Sequence, residues 1–263
     1  MIQKCIKQKL RDRDEVICAF LRIPDPSVAE IMALAGVELL IIDMEHYVFN
    51  AQTVQNIARA AEIYHAECLV RISDADHGSI GRLLDMGVSG VLLADAVDSK
   101  QVQSVVHAVK YPPVGTRGAS TDSRAGKYGY YTDDITAYPK AMNDRTIIGV
   151  ILETKTAIAD LGGILAIPEV DFVSVGTMDL SFAYGVPGQV NHPVIAERKR
   201  ELYRRIAASG KSALDKTPNL DALQSAKRAG INCYYVDSDA ALLKKGLDAI
   251  IGLIRDSSGA DRR

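Results

Sequence analysis

The chain alternates short, continuous apolar runs with longer segments in which apolar residues recur at helical spacing. In three places a helical segment ends in a small residue and glycine, and an apolar run that ends in an acid follows. These segments are LAGVELLIID to Asp43, DMGVSGVLLAD to Asp95 and RAGINCYYVD to Asp237. A glycine that closes a helix and a run buried on both faces are typical of a parallel sheet covered by helices. The repeating unit is a strand followed by a helix.

Eight apolar runs are candidate strands, and segments of helical spacing separate most of them. The candidate strands are 16–21, 39–43, 68–72, 90–94, 147–153, 171–176, 211–215 and 232–236, and the clearest helical segments are 51–64, 99–109, 195–208 and 219–229. Because a (β/α)8 barrel closes at roughly 250 residues, we predict an α/β fold with a single TIM barrel over residues 1–263. A doubly wound open sheet is less favoured, because no G-x-G-x-x-G turn follows the first strand.

Two segments depart from this regular pattern. The connection 111–145 contains YPPVGTRGAS and the tyrosine-rich KYGYYTDD, and it is longer than a barrel needs. Loops of this length in compact domains are usually lids over a site or arms between subunits. The last residues, SSGADRR, are polar and should be frayed.

Composition and charge exclude several classes of protein. Hydrophobic residues make up 48% and charged residues 24%, as in soluble globular proteins, and the formal net charge is -2. This charge gives no positive field for nucleic acid or anionic lipid, and no apolar stretch reaches the length of a bilayer span. The charged N-terminus lacks the apolar centre of a secretion signal. We therefore predict a cytoplasmic protein without nucleic-acid or membrane partners.

The four cysteines are too scattered for a zinc or redox motif. They are Cys5, Cys18, Cys68 and Cys233. Thiols without a close partner in the sequence are most often reduced and buried. We predict reduced, mostly buried thiols.

Charged side chains follow the ends of most candidate strands. In a (β/α)8 barrel these positions converge on one mouth, where chemistry takes place. The residues concerned are Asp43, His46, Arg71, Asp95, Glu153 and Asp179. So many acids cannot lie together uncompensated, so either several point away or a cation joins them.

Two of these acids, Glu153 and Asp179, follow adjacent strands and can reach one point. Carboxylate oxygens of this kind suit magnesium or manganese. Alternatively, two carboxylates could be the acid and base of a glycoside hydrolase, although the chain has no Trp and only 6% aromatic residues for a sugar platform. Asp179 could also cap the following helix. Asp43 could hold one ring nitrogen of His46, leaving the other as a base near neutral pH.

Six motifs then appear in a fixed order: LLIIDMEH (39–46), VRI (70–72), LLDMG (83–87), YPPVGTRG (111–118), ILETKTA (151–157) and VGTMDLS (175–181). With these motifs the chain resembles the HpcH/HpaI aldolase family, metal-dependent aldolases of the pyruvate class. This family is related to 2-keto-3-deoxy sugar acid aldolases and to macrophomate synthase. The resemblance covers about residues 29–239.

The resemblance implies a lyase that uses Mg²⁺, Mn²⁺ or Co²⁺. Its substrate would be a 4-hydroxy-2-oxo acid, cleaved reversibly to pyruvate and an aldehyde through a metal-stabilised enolate. The resemblance further implies homo-oligomers, often trimers paired into hexamers, with active sites at subunit boundaries.

The resemblance also assigns roles to individual residues. Glu153 and Asp179 would bind the metal, and His46 would be the base. Arg71 would stabilise the developing negative charge, and Asp85 would increase the basicity of the histidine. The turn formed by Gly176, Thr177, Met178 and Asp179 would receive the substrate carboxylate, since amide hydrogens at a helix start attract anions.

The chain departs from the family pattern where substrate is expected. Ile151 stands where some members have a glutamine that contacts the oxo acid, and Tyr47 replaces a small residue after DMEH. The run ADAVDS adds Asp95 to the rim, and SALDK replaces a run of small residues near the seventh strand. An alternative function is therefore a barrel that binds a 2-oxo acid without aldol chemistry.

Lysine and arginine residues raise two further alternatives. Lys155, just beyond Glu153, is the candidate for a Schiff base, although we expect it to be exposed on the first helical turn. Arg22, Arg117 and Arg124 could each meet a second carboxylate on a longer substrate or form surface ion pairs.

Overall fold

A computed structural model describes residues 4–130 and 134–258 of the chain. Eight parallel strands form a closed barrel in sequence order, which confirms the predicted TIM barrel and excludes an open sheet. The strands are β1 (Val16–Leu21), β2 (Leu39–Asp43), β3 (Glu67–Ile72), β4 (Gly90–Leu93), β5 (Ile147–Leu152), β6 (Phe172–Val175), β7 (Ser212–Lys216) and β8 (Cys233–Ser238). Each overlaps a predicted strand.

The helices follow the strands as predicted, and six of the twelve described helices begin at a capping Asp, Asn or Thr side chain that accepts a backbone N–H. The helices are α1 (Ile6–Asp12), α2 (Pro26–Leu34), α3 (Ala51–Ile63), α4 (His77–Asp85), α5 (Ser99–Val109), α6 (Tyr138–Arg145), α7 (Lys155–Ala159), α8 (Leu161–Leu165), α9 (Thr177–Ala183), α10 (Pro193–Ala208), α11 (Leu220–Arg228) and α12 (Asp239–Ser258). No helix among the described residues has both the length and the apolar content needed to cross a bilayer.

Strand residues alternate between two apolar cores. Outward-facing residues such as Leu40 and Val70 pack under the helices, while Leu69 and Leu92 fill the barrel interior. Phe172 closes the middle of the interior, and a Cβ on Gly149 would lie 2.3 Å from its ring. The interior is therefore packed solid, and chemistry is confined to the mouth at the carboxyl ends of the strands.

Helix α1 closes the opposite end of the barrel. Ile6 and Leu10 are buried there. Lys7 lies between them and donates to Asp171 at 2.7 Å and to the carbonyl oxygen of Thr146 at 2.8 Å. The side chains of Lys7 and Asp171 are only 5% and 7% exposed, so this ion pair is desolvated.

The long connection 111–145 lies at this closed end, because it joins the end of α5 to the start of β5. Its Arg117 donates to Asp85 at 2.7 Å, and Arg124 pairs with Glu62. The interpretation of this connection as a lid over the mouth of the same barrel is therefore wrong, because a helix-to-strand connection lies at the amino ends of the strands. The function of an arm between subunits stays a prediction; residues 131–133 lie outside the described residues.

The last helix, α12, leaves the barrel surface. The helix contacts β1 and β8, but from Leu242 onward its large apolar side chains are exposed. Ile17, on the outer face of β1, is 40% exposed, whereas Leu40 and Val70 on neighbouring strands are fully buried. The helix extends through Ser258, so the predicted frayed tail is helical at its start, and residues 259–263 lie outside the described residues.

We expect Asp171→Asn to lower the free energy of unfolding by about 3–5 kcal/mol, because it leaves the Lys7 ammonium buried without a counter-charge. The asparagine oxygen can still accept the N–H of Ile148, so the strand contact is kept. Urea denaturation measures the loss. Asp12→Asn, which removes one partner from the exposed pair with Lys4, should change stability by no more than about 1 kcal/mol. Equal losses in the two variants would contradict a special role for the buried pair.

Candidate active site at the barrel mouth

Three carboxylates meet at the mouth of the barrel. Glu45, Asp95 and Glu153 each place one oxygen within 4.8 Å of the others. They follow β2, β4 and β5, so three separate strand ends hold them in place. Glu153 is 3% exposed, and its Oε1 accepts the backbone N–H of Asp95 at 2.7 Å. Asp95 has a φ of 49°, a left-handed conformation that turns the chain directly after β4.

Gly176 gives the Glu153 carboxylate its space. A Cβ at Gly176 would lie 2.2 Å from Oε2 of Glu153, so any larger residue would displace this carboxylate. Helix α9 begins at the next residue, Thr177, and Asp179 lies exposed in its first turn. No side chain caps α9, so the alternative in which Asp179 caps this helix is not what the structure contains.

Arg71 is the main counter-charge of the acid cluster. It projects from β3, is 7% exposed, and places Nη2 2.5 Å from Oε2 of Glu45. Its Nη1 lies 3.6 Å from Oδ2 of Asp43, a carboxylate that is fully buried. The Nε–H of Arg71 is buried and finds no acceptor among the described residues. A buried, unpaired donor at the mouth is suited to an anionic oxygen of a substrate.

Asp43 contacts His46 differently from the prediction. Its Oδ1 accepts the backbone N–H of His46 at 3.3 Å, while the imidazole lies near Glu45, with 3.7 Å from Nε2 to Oε2. Asp43 therefore shapes the loop that carries His46 and does not orient its ring. The imidazole is 56% exposed and stands at the edge of the mouth.

Asp85 lies at the other end of the barrel from His46. It is the last residue of α4, a helix that runs from the mouth back to the amino ends of the strands, and it pairs with Arg117. Within one chain the length of a barrel strand separates Asp85 from His46, so the predicted action of Asp85 on His46 stays a prediction. Such a contact requires a second copy of the chain.

Burial and mutual repulsion disfavour ionisation of the cluster. Desolvation raises the pKa of Glu153 to about 7, with Asp179 and Glu45 adding to the rise while Arg71 opposes it. Desolvation also raises the pKa of Glu45 to about 7, and here Asp95 and Asp43 add to it. Acids whose ionised forms are this unfavourable are ready to accept a counter-ion.

The donor set fits a hard divalent cation. All three converging ligands are carboxylates, and oxygen ligands are the ones that magnesium and manganese prefer. The predicted pair of Glu153 and Asp179 stays a prediction: Glu153 is in the cluster, and the charge of Asp179 is near enough to raise its pKa. The structure adds Glu45 and Asp95 as further candidate ligands.

The remaining residues named in the sequence analysis lie in three different places. Lys155 begins α7, as expected, and lies over the ring of Tyr184 at 5.0 Å, on the outside of the barrel. This position offers no support for a Schiff base. Ile151 is buried in the barrel interior one layer below Glu153, and Tyr47 stacks on Arg22 at 5.2 Å. Of the three arginines, only Arg22 reaches the mouth.

The sequence analysis missed several charged residues at the mouth. Glu45 lies within the DMEH motif between Asp43 and His46. Its spacing of two residues from Asp43 could have predicted that both acids point to the same side of the strand end. Lys216 and Asp237 belong to strands that extend one or two residues beyond their predicted ends. Three of the four cysteines are buried free thiols and Cys5 is exposed, which confirms the cysteine prediction.

The raised pKa of Glu153 predicts how metal-free stability depends on pH. The folded state keeps the proton between about pH 4.5 and 7, where the unfolded state loses it, so stability falls as the pH rises through this window. Without metal, Glu153→Gln should therefore match the wild type near pH 4.5 and exceed it by about 3 kcal/mol at pH 8. Chemical denaturation with chelator present measures this difference. A variant less stable than the wild type at pH 8 would contradict the buried-acid account.

Comparison with known proteins places this chain in a family. The sequence matches the HpcH/HpaI aldolase/citrate lyase family over residues 17–234. It is 30% identical to a pyruvate aldolase of Rhizobium etli over 93% of this chain and 94% of that protein. It is 29% identical to a 2-keto-3-deoxy-L-rhamnonate aldolase of Escherichia coli K12 over 100% and 97%. The crystal structure of an HpcH/HpaI aldolase from Desulfitobacterium hafniense superimposes with a TM-score of 0.90 at 26% identity, covering 96% and 97%. The chain belongs to the HpcH/HpaI aldolase/citrate lyase family.

Proposed function

We propose that the protein is a divalent-metal-dependent lyase of the class II aldolase type. It cleaves a 4-hydroxy-2-oxo acid reversibly to pyruvate and an aldehyde through an enolate. The observation that carries this proposal is the convergence of three carboxylates beside Arg71 at the mouth of the barrel. The aldolases among its relatives support it.

The acid cluster would hold Mg²⁺, Mn²⁺ or Co²⁺, with Glu153 and Asp179 as ligands together with Glu45 or Asp95. When bound, such an ion supplies a Lewis acid that polarises a keto group and acidifies the neighbouring carbon. Gly176 leaves room for this arrangement, because it alone lets the Glu153 carboxylate lie against β6.

Arg71 would stabilise the oxygen on which negative charge develops. Its guanidinium is held by Glu45 and Asp43 and lies over the ring of Phe20, so it is already oriented before substrate arrives. Preorganised donors of this kind act most strongly in the transition state. The backbone from Gly176 to Asp179, comprising Gly176, Thr177, Met178 and Asp179, would receive the substrate carboxylate.

His46 would remove and return the proton at the carbon next to the keto group. Its partial exposure and its position beside Glu45 leave the ring free to approach a substrate in the mouth. Asp85 would increase the basicity of this histidine only across a subunit boundary, because in its own chain it lies at the closed end. This role therefore depends on the oligomer proposed below.

Metal-dependent proton exchange at the methyl group of pyruvate tests the proposal without knowledge of the aldehyde. In deuterated water the protein loaded with Mg²⁺, Mn²⁺ or Co²⁺ should exchange these protons, and exhaustive chelation should abolish the exchange. NMR of the methyl signal measures the rate. Exchange that survives chelation, together with a borohydride-trapped adduct, would refute the metal account.

Arg71→Lys provides the residue-level arm of this experiment. It keeps one positive charge but loses the planar fork, so exchange should slow by roughly 10²–10³-fold with little change in pyruvate affinity. Binding of pyruvate without exchange by the metal-loaded wild type would instead favour the alternative, a barrel that binds a 2-oxo acid without aldol chemistry. Buried Ile151 and the bulky Tyr47 at the mouth are the features that fit this alternative.

We also propose that the protein is a homo-oligomer, as trimers or hexamers, in which α12 packs on a second copy. Leu243, Leu247 and Ile250 recur at i, i+4 and i+7 and are 52–59% exposed. The outer face of β1 at Ile17 lacks the cover that other strands have. One chain thus carries both an unpaired apolar helix and an uncovered surface, the two halves of a self-complementary exchange.

The double variant Leu247→Glu/Ile250→Glu should dissociate this oligomer, because it places two charges within the apolar face of α12. Light scattering coupled to size exclusion measures the mass. Lys244→Glu, on the polar face of the same helix, should leave the mass unchanged. A wild-type protein with the mass of one chain would contradict the proposal.

A cytoplasmic location belongs to the same proposal. All four cysteines are free thiols, three of them buried. Thiols persist in reducing compartments.

A further inference from the structure

Three lysine side chains converge at the closed end of the barrel, opposite the mouth. Lys7 lies in α1, Lys110 follows α5, and Lys211 precedes β7. All three line a cavity of about 480 Å³, which is within the range of roughly 300–1,000 Å³ that small-molecule sites occupy. The proposed metal and enolate chemistry uses none of these lysines.

The carboxylate of Asp171 compensates only the first of them. Both of its oxygens lie 2.7 Å from Nζ of Lys7, and its Oδ2 also accepts the backbone N–H of Ile148 at 2.8 Å. The two side chains are buried against each other beneath α1. Because this pair is neutral as a whole, it leaves the charges of the other two lysines uncompensated.

Lys110 and Lys211 are held by carbonyl oxygens instead of carboxylates. Nζ of Lys110 donates to the carbonyl oxygens of Asn143 and Thr146, each at 2.7 Å. Nζ of Lys211 donates to two further carbonyl oxygens, also at 2.7 Å. Within the described part of the chain neither ammonium has an ion-pair partner. An ammonium has three hydrogens, so each lysine keeps one N–H for a ligand in the cavity.

The other charges of the cavity lining leave an excess of positive charge. Arg11 of α1 is exposed at its edge. Asp144 pairs with Lys140 at 2.5 Å and is thereby neutralised. Among the described acids of the lining, only Glu169 has no ion-pair partner. The two lysines and Arg11 are three cations against this one acid, an excess that is local in a chain with a net charge of -2. Such a cavity favours a doubly charged anion.

Burial makes the positive charge of Lys110 unfavourable. The residue is 2% exposed, and desolvation together with the charge of Lys7 lowers the pKa of Lys110 to about 7, although Asp171 and Glu169 oppose this. Desolvation also lowers the pKa of Lys211. An anion in the cavity would give both ammonium groups a charge partner, so its binding favours their protonated forms.

We propose that the closed end of the barrel holds a second small-molecule site, in which Lys110 and Lys211 bind a phosphate group, either of a small phosphorylated metabolite or of inorganic phosphate. Ammonium groups act as point charges, and here they come from two separate elements, which suits a tetrahedral anion better than a planar carboxylate. A bound phosphate would tie the end of α5 to the start of β7, where α1 closes the barrel. The site is independent of the proposed function.

Isothermal titration calorimetry with phosphate and with sulfate tests the site, and chloride at equal ionic strength is the control for screening. The wild type should bind both tetrahedral anions and should not bind chloride. Lys110→Met and Lys211→Met each remove one ammonium and should weaken binding by roughly 10–100-fold, the factor for one charge-assisted hydrogen bond. A wild type that binds neither anion would overturn the site.

Glu169→Gln separates a ligand site from a purely structural role of the lysines. It removes the opposing charge and should tighten phosphate binding by roughly fivefold, whereas carbonyl capping alone predicts no gain. This variant and Lys211→Met keep the proposal testable if Lys110→Met does not fold. An unchanged or weaker affinity in Glu169→Gln would contradict the proposal.

Two control variants locate the bound anion. Lys4→Met removes a lysine at the same end of the barrel that pairs with Asp12 and Asp14 outside the cavity, and it should leave the affinity unchanged. Arg71→Lys alters the cation at the mouth and should also leave it unchanged. A loss in Arg71→Lys without a loss in Lys110→Met would place the anion at the mouth and overturn the proposal.

The pH dependence of sulfate binding is an independent measurement, because sulfate stays a dianion near neutral pH. The charged groups that line the cavity with Lys110 are Lys7, Arg11, Asp144, Glu169, Asp171 and Lys211. Since free Lys110 loses its proton near pH 7 and a bound dianion raises its pKa, sulfate affinity should fall by about tenfold from pH 6 to pH 8. Lys110→Met should lose most of this dependence. Equal wild-type affinities at the two pH values would overturn the role of Lys110.

A phosphate ester distinguishes the two sources of the phosphate group. Tighter binding of glycerol 1-phosphate than of inorganic phosphate supports a site for a phosphorylated metabolite, and the reverse order supports a site for the free ion. In both cases Lys211→Met should weaken the tighter ligand. Equal affinities of the wild type and Lys211→Met for both ligands would refute the site.

Discussion

The structure depends on the desolvation of like charges at the mouth of a closed apolar barrel. The packed interior keeps water away from Glu153 and Asp43 from below, so their charges must be compensated from the side. Arg71 reaches both Glu45 and Asp43 and supplies part of this compensation. It does not supply all of it, as the raised pKa values of Glu153 and Glu45 indicate. The deficit is the physical reason for proposing a cation at this point.

The same constraint accounts for the arrangement of the neighbouring elements. Glycine at position 176 is required because the carboxylate of Glu153 occupies the space of a side chain. The left-handed turn at Asp95 directs a backbone N–H at the same carboxylate. On the other side of the mouth the buried carboxylate of Asp237 is compensated, since it pairs with Lys216 and Lys245. Within the described residues, the acids that follow β4–β6 lack such direct lysine partners.

The barrel and the residues at its mouth could largely be predicted from the sequence, because each strand and helix is determined by the pattern of its own residues. Apolar runs set the strands, and capping residues such as Asp98 set the helix starts. Strand ends then placed Arg71, Glu153 and Asp95 at one rim. The partners of each charge could not be predicted in this way. Spacing placed Asp43 near His46, but only the fold shows that Asp43 binds the backbone there.

The strand ends limited what the sequence analysis could find. Lys216 and Asp237 lie where apolar runs turn polar, so the ends of β7 and β8 were placed too early. The role of Asp85 came from the family resemblance of its LLDMG motif, and the fold places it at the closed end because helices return there before the next strand begins. Two acids can meet only if they lie at the same end of the barrel, and a sequence motif does not show at which end a residue lies.

The exposed α12 has a consequence for how the barrel is sealed. The first and last strands, β1 and β8, pair with each other and close the barrel. Helix α12 does not cover the outer face of this pair at Ile17. If a neighbouring copy supplies that cover, the seam between the two ends of the chain is shut by assembly rather than by folding alone. A lone subunit would then open first at this seam, and survival of the ring would depend on subunit concentration.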